Sequence, residues 1–203
     1  MSESYLNTSL LDELLPENWR SNQKNFKTYT HSKTVAAAAR IVAKKSQMEW
    51  GRAYTYGLMH DIGKFYVPNS RAYKHPRVGY EILKDTHRDI AEICVTHSFP
   101  NIKSFDHIIN YCKNDKKEAS KILSILETIH LNDYMELIQL CDKVSGLDSY
   151  TSIEAKLKWY TETNQINEND IVTVLYRKKL ESIKSKFDSL AGTNVYKLLG
   201  IDV

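Results

Sequence analysis

The chain has 203 residues, a net charge of +3, 42% hydrophobic residues, and only seven Gly and four Pro. That charge is too small to announce a nucleic-acid polymer as partner, and no run approaches the ~18 apolar residues of a membrane span, so no membrane association is expected. The length suits one domain with a C-terminal helical extension, and the scarcity of chain breakers favours an all-α architecture over many short strands.

The opening stretch MSESYLNTSLLDELLPENW has no basic segment followed by an apolar run, so it does not read as a signal peptide. The first clear helix is expected over residues 30–45, with Val35, Ala38, Ala39 and Val42 as its apolar stripe and His31 one turn earlier on the same face. A second is expected over 47–62, with Trp50, Ala53, Tyr54, Gly57 and Leu58 inward and Gly63 as a left-handed C-cap. PNSRAYKHP reads as a loop. Pro76 suits a first helical turn, which puts His75 at the mouth of a short helix.

Ile90, Ile93 and Cys94 repeat at helical spacing over 88–97, and His97 closes that stripe before SFPN breaks it. Asp115, with Glu118 three residues later, starts a helix through Ile129. Asn132 caps the next helix, DYMELIQLCDKVS, which Gly146 should end; Asp142 borders its apolar face. One helix near 152–161 and a longer one over 169–190, stopped by Gly192, complete the chain. The three cysteines Cys94, Cys112 and Cys141 are odd in number and lack CxxC spacing. They read as buried free thiols of a reducing compartment, so the protein is expected in the cytoplasm.

The chemically informative segment is GLMHDIGKF, residues 57–65. Adjacent His60 and Asp61 sit at the end of an apolar helix. A carboxylate is costly to bury unless it is paired or bound to a metal, and the imidazole beside it makes metal coordination an economical explanation. The dipeptide alone is weak evidence. Upstream, Thr30-His31 places a histidine on an inward helical face. Downstream, Leu-Cys-Asp142-Lys-Val places another carboxylate beside an apolar stripe, where an acid at a helix C-terminus opposes the macrodipole and is better explained as a ligand.

This order resembles the HD superfamily of metal-dependent phosphohydrolases, in which four such side chains bind a divalent metal. The resemblance covers residues 25–150 as an HD domain, with 151–203 as C-terminal helices packed on the same domain. It implies His31, His60, Asp61 and Asp142 as metal ligands. HPRVGYEIL and ICVTHSF are similar to segments that add two histidines in binuclear members, among them the symmetric dinucleoside-tetraphosphate hydrolases and the HD-GYP phosphodiesterases. On that pattern His31, His60 and Asp142 hold one ion, His75 and His97 a second, and Asp61 bridges them. Such a donor set suits two divalent transition-metal ions, Fe, Mn or Zn. The HD-GYP signature downstream of the paired histidines is absent, which argues against a cyclic dinucleotide. An extra helical segment between His97 and Asp142 departs from the tetraphosphatase pattern.

The implied activity is hydrolysis of a phosphoester or phosphoanhydride, in a small phosphorylated substrate such as a nucleotide or dinucleotide, by a metal-activated water. Asp61 would position the ions, and Lys64 could meet the developing phosphoryl charge, with Arg77 and Lys143 as weaker candidates for that task. The same six-ligand pattern also occurs in mixed-valent di-iron oxygenases of the HD fold, and a metal-loaded module that binds a nucleotide without turning it over is a third reading. His87, His107 and His130 fit no pattern. The basic run Arg177-Lys178-Lys179 through Lys184 and Lys186 reads as the solvated face of the last long helix, and Trp50, Tyr54 and Trp159 as core or interface. The oligomeric state is left open.

Overall fold

A computed structural model describes residues 8–17, 19–100, 104–164 and 169–202. The first seven residues of the stretch read as leaderless, and Asn101 of the SFPN breaker, lie outside the described residues. In chain order the helices are α1 (Thr8–Leu14), α2 (Gln23–Lys45), α3 (Trp50–Met59), α4 (His75–Leu83), α5 (Arg88–Thr96) and α6 (Phe105–Tyr111). They continue as α7 (Lys116–Leu126), α8 (Asp133–Lys143), α9 (Ile153–Asn164), α10 (Ile171–Ala191) and α11 (Val195–Leu199). Among the described residues there is no strand, only an isolated bridge between Ser145 and Tyr150. None of these helices is long and apolar enough to cross a membrane.

The long helix α2 is the spine. Its stripe of Val35, Ala38, Ala39 and Val42 is fully buried. The small residues let α3 lie close against it: a Cβ on Gly57 would fall 2.6 Å from the Ala36 Cα. Helices α4 and α5 pack together, α8 fills the space beneath α2, α3 and α5, and α10 and α11 close over α2 from the C-terminal side. The core that results is continuous, running from Leu10 to Leu199.

Several expectations are corrected. Helix α2 begins at Gln23, capped by the Asn22 side chain, not near residue 30. Its first turns turn polar residues inward (Asn25, Thr28 and Ser32 are buried), so no apolar period reveals them. Gly63 is not a left-handed cap; among the described glycines only Gly192 and Gly200 have positive φ. Instead the chain continues through a 3-10 turn over Ile62–Tyr66 packed on α4. Gly63 is required there by space, since a Cβ would meet the His75 carbonyl oxygen at 2.1 Å and the Gly79 nitrogen at 2.6 Å. The stretch before His75 is a further 3-10 segment, Asn69–Lys74, and not an open loop.

Trp159 is 59% exposed, so of the core-or-interface reading only the interface half applies to it. The basic strip of α10 is not simply solvated. Lys179 and Lys186 reach Glu136 at 2.8 and 2.6 Å, and Lys186 also reaches Asp133, tying α10 to α8. Asp115, Asn132 and Gly192 cap α7, α8 and α10 as their sequence positions suggest. All three cysteines are buried free thiols.

Candidate metal centre

Four helices meet where the imidazoles converge. His31 lies within α2; His60 and His97 are the residues at which α3 and α5 end, and His75 opens α4. Asp61 follows His60 into the 3-10 turn, and Asp142 sits in the last turn of α8. These six residues come together although they span 112 positions of the chain. His60, Asp61, His75, His97 and Asp142 are buried, Asp61 completely.

Every one of the four rings is held the same way. The Nδ1 of His31 lies 2.7 Å from the Gly146 carbonyl, that of His60 2.7 Å from Gly57, that of His75 2.7 Å from Ala72, and that of His97 2.8 Å from Cys94. A carbonyl oxygen only accepts, so each Nδ1 carries a proton, and in its neutral form each ring presents a bare Nε2 lone pair. Backbone carbonyls in this role fix the tautomer and orientation of metal-ligating histidines.

The Nε2 atoms point at the carboxylates. His31 Nε2 is 3.0 Å and His60 Nε2 3.8 Å from Asp142 Oδ1. Asp61 divides its oxygens: Oδ2 faces His60 at 3.3 Å and His31 at 4.0 Å, while Oδ1 faces His75 at 3.0 Å and His97 at 3.4 Å. Donors about 2.1 Å from a shared ion and at right angles would lie about 3 Å apart, so these separations are those of ligands around a cation.

The polar inventory fits a metal. His60 Nε2 and Asp61 Oδ1 are buried and make no hydrogen bond, an arrangement that is costly without a partner. Two ligand groups, His31–His60–Asp142 and His60–Asp61–His97, have donor atoms that all lie within 4.8 Å of one another. Ligation needs neutral imidazole and ionised carboxylate, a state that Asp61, Asp142, His75 and His97 favour and that His60 opposes while no cation is bound. Burial opposes ionisation of Asp61, but His60, Lys64 and His75 around it hold its carboxyl well below the usual carboxylate range. Asp142 is held well below that range too, against its burial, by Lys143, His31 and His60. Burial pushes His75 down and His97 down to about 4. For His60 the two carboxylates outweigh burial and raise it.

The basic residues separate into two groups. Lys64 Nζ lies 2.5 Å from Asp61 Oδ2, and Lys143 Nζ pairs with Asp142 Oδ2, so both stand at the centre. Arg77 does not. It turns away into a two-pronged pair with the buried Glu118, at 2.6 and 3.1 Å, and does not line the cavity over the ligands. That corrects the expectation of a phosphate contact from Arg77: an acid 41 residues away, unreadable from sequence, holds its guanidinium.

The cavity over the centre, lined by every candidate ligand except His60, has a volume of about 760 Å³. Its walls include residues that sequence reasoning missed. Lys27 and Thr28 lie one turn before His31 on the same face of α2, a signal that an earlier helix start would have exposed. Ser98, whose hydroxyl is 2.9 Å from His97 Nε2, and Tyr111 have no comparable signal, nor do Lys156 and Trp159 of α9.

A family model described as HD domain matches residues 28–147. No curated protein matches the chain, and no solved structure does.

Proposed function

The chain belongs to the HD-domain family, a family of metal-dependent phosphohydrolases, and from that premise we propose that it hydrolyses a phosphoester or phosphoanhydride in a nucleotide or dinucleotide. The observation that carries this reading is the division of Asp61. Its Oδ2 faces the His31–His60–Asp142 side and its Oδ1 the His75–His97 side, so the one carboxylate could help to hold a cation on each side. The donor set of imidazoles and carboxylates suits Fe, Mn or Zn better than a site of oxygen ligands alone.

Divalent ions bound here would acidify a coordinated water and polarise the phosphoryl oxygens. The protein's own part is orientation and charge. The four carbonyl-anchored rings hold their lone pairs at fixed angles before anything binds, so no reorganisation is needed later. Lys64 and Lys143 flank the two carboxylates and place positive charge where an incoming phosphoryl group must lie. Ser98 and Tyr111, linked at 3.4 Å, stand at the His97 and His75 rings and restrict the approach from that side.

The test is phosphate release from a panel of nucleotides and dinucleotides by protein purified without chelator, with metal analysis on the same sample. Turnover that follows metal content and disappears with chelation is expected. Dioxygen consumption without phosphate release would replace this reading by the oxygenase one. Tight nucleotide binding with full metal content and no product would replace it by that of a binding module.

A further inference from the structure

Beside the metal centre lies a second cavity of about 430 Å³, within the size range of small-molecule sites. The two cavities share Ser98, Tyr111, Lys143 and Lys156, so they adjoin along one wall. Aromatic rings wall the second chamber: His107, Tyr111, Tyr160 and Tyr176. The His107 ring stands edge-on to Tyr176 at 4.9 Å and to Phe99 at 5.7 Å between centroids. Its Nδ1 is buried within that wall. Asn110, Asn114 and Thr173 add amide and hydroxyl groups. Tyr160, Thr173 and Tyr176 come from α9 and α10, beyond the family-matched residues 28–147.

We propose that this chamber takes the base of a nucleotide whose phosphoryl group reaches the metal centre past Lys143 and Lys156. The proposal rests on reading the metal centre as a phosphohydrolase site. Its argument is chemical complementarity. Aromatic walls offer stacking faces to a planar ring. The amides of Asn110 and Asn114 and the Thr173 hydroxyl provide donors and acceptors for a heterocycle's edge, which an alkyl chain would leave unpaired at a cost. Two ammonium groups at the neck meet the anionic part: Lys143 beside Asp142, and Lys156, whose Nζ donates to the Ser145 carbonyl at 2.7 Å. A further metal is a poor occupant, since Asp170 is the one carboxylate among the described lining residues and no histidine–carboxylate cluster forms there.

The experiment measures binding, by calorimetry on the Mn-loaded 203-residue chain, of AMP, GMP, CMP and UMP against ribose 5-phosphate. At least one nucleotide should bind about tenfold or more tightly than the base-free sugar phosphate, the scale of one stacked base. Thr173→Trp, which fills the chamber, should bring that ratio to within about twofold of one at unchanged metal content. Tyr160→Ala, at an exposed rim position, should lower the ratio severalfold and serves if the bulkier variant does not fold. Nucleotides that all bind within about twofold of ribose 5-phosphate, or not at all, overturn the assignment, as does an advantage that survives Thr173→Trp. The two readings fail separately. Hydrolysis of ribose 5-phosphate with no base advantage removes the base chamber and keeps the hydrolase. A base advantage abolished by Thr173→Trp, with no phosphate released from any compound, supports the chamber and removes the hydrolase.

Discussion

His75 Nε2 and His97 Nε2 stand 3.1 Å apart, although each ring already gives its Nδ1 proton to a backbone carbonyl. Two neutral rings anchored in this way face each other with lone pairs, and burial disfavours the cationic form that could separate them. A cation held by His75, His97 and Asp61 would resolve the contact. We therefore expect two transition-metal ions per chain by elemental analysis of protein purified without chelator. A stoichiometry that stays near one after Fe or Mn reconstitution would return His75 and His97 to a purely structural role.

Asp61 faces both halves of the centre, so Asp61→Ala should abolish phosphate release and cost metal on both sides. The thermal midpoint of the metal-loaded protein should fall as well, because ligands bound only to the folded state add to its stability. Normal metal content together with full turnover in this variant would sink the bridging role.

Lys64 separates two functions of one charge. Its ammonium lies on Asp61 Oδ2, and its side chain is 31% exposed toward the cavity. If it meets the phosphoryl charge, Lys64→Ala should lower turnover by about ten-squared to ten-cubed with metal content intact. Lys64→Arg should recover only part of this, since a planar guanidinium does not replace a compact ammonium. Turnover within about twofold of wild type in both variants would make the lysine a bystander and leave the charge to Lys143.

Gly63→Ala tests the support beneath His75. The added Cβ would collide with backbone atoms, the His75 carbonyl oxygen and the Gly79 nitrogen, so no side chain can swing aside. A stability loss of about 1–3 kcal/mol is expected from overpacking, accompanied by weaker binding of the ion on the His75 side. Wild-type urea midpoint and metal stoichiometry would contradict the packing account.

Burial, with Lys143 nearby, holds the folded His107 at about 4 against an ordinary 6.5. Between those values the unfolded chain binds the extra proton, so stability rises with pH there, and His107's contribution is lost as pH falls from about 6.5 toward 4. At about 1.4 kcal/mol per unit the loss is at most on the order of 3 kcal/mol. His107→Leu should flatten the urea midpoint over that window in chelator-treated protein. Parallel curves for variant and wild type would remove His107 from the acid response.

The helical class and three caps were legible in the sequence because each depends on local order, whereas the six converging residues were legible as a set only through the resemblance to the HD family. Asp115, Asn132 and Gly192 act on neighbours within a few positions, and the histidines lie on or at the ends of apolar helical stripes. What the sequence determined by itself was therefore the all-helical framework and the set of groups that could hold metal. Only the tertiary structure decided how those groups divide. Which Asp61 oxygen meets which histidine, the capture of Arg77 by Glu118, and the arrival of Lys156 and Tyr176 beside the centre all depend on contacts across tens of residues. The spacing of residues along one helix carries no information about the neighbour packed against it. Gly63 shows the difference most simply. Its sequence position suggested a turn that needs positive φ, whereas in the fold it is the approach of the His75 backbone that excludes any side chain.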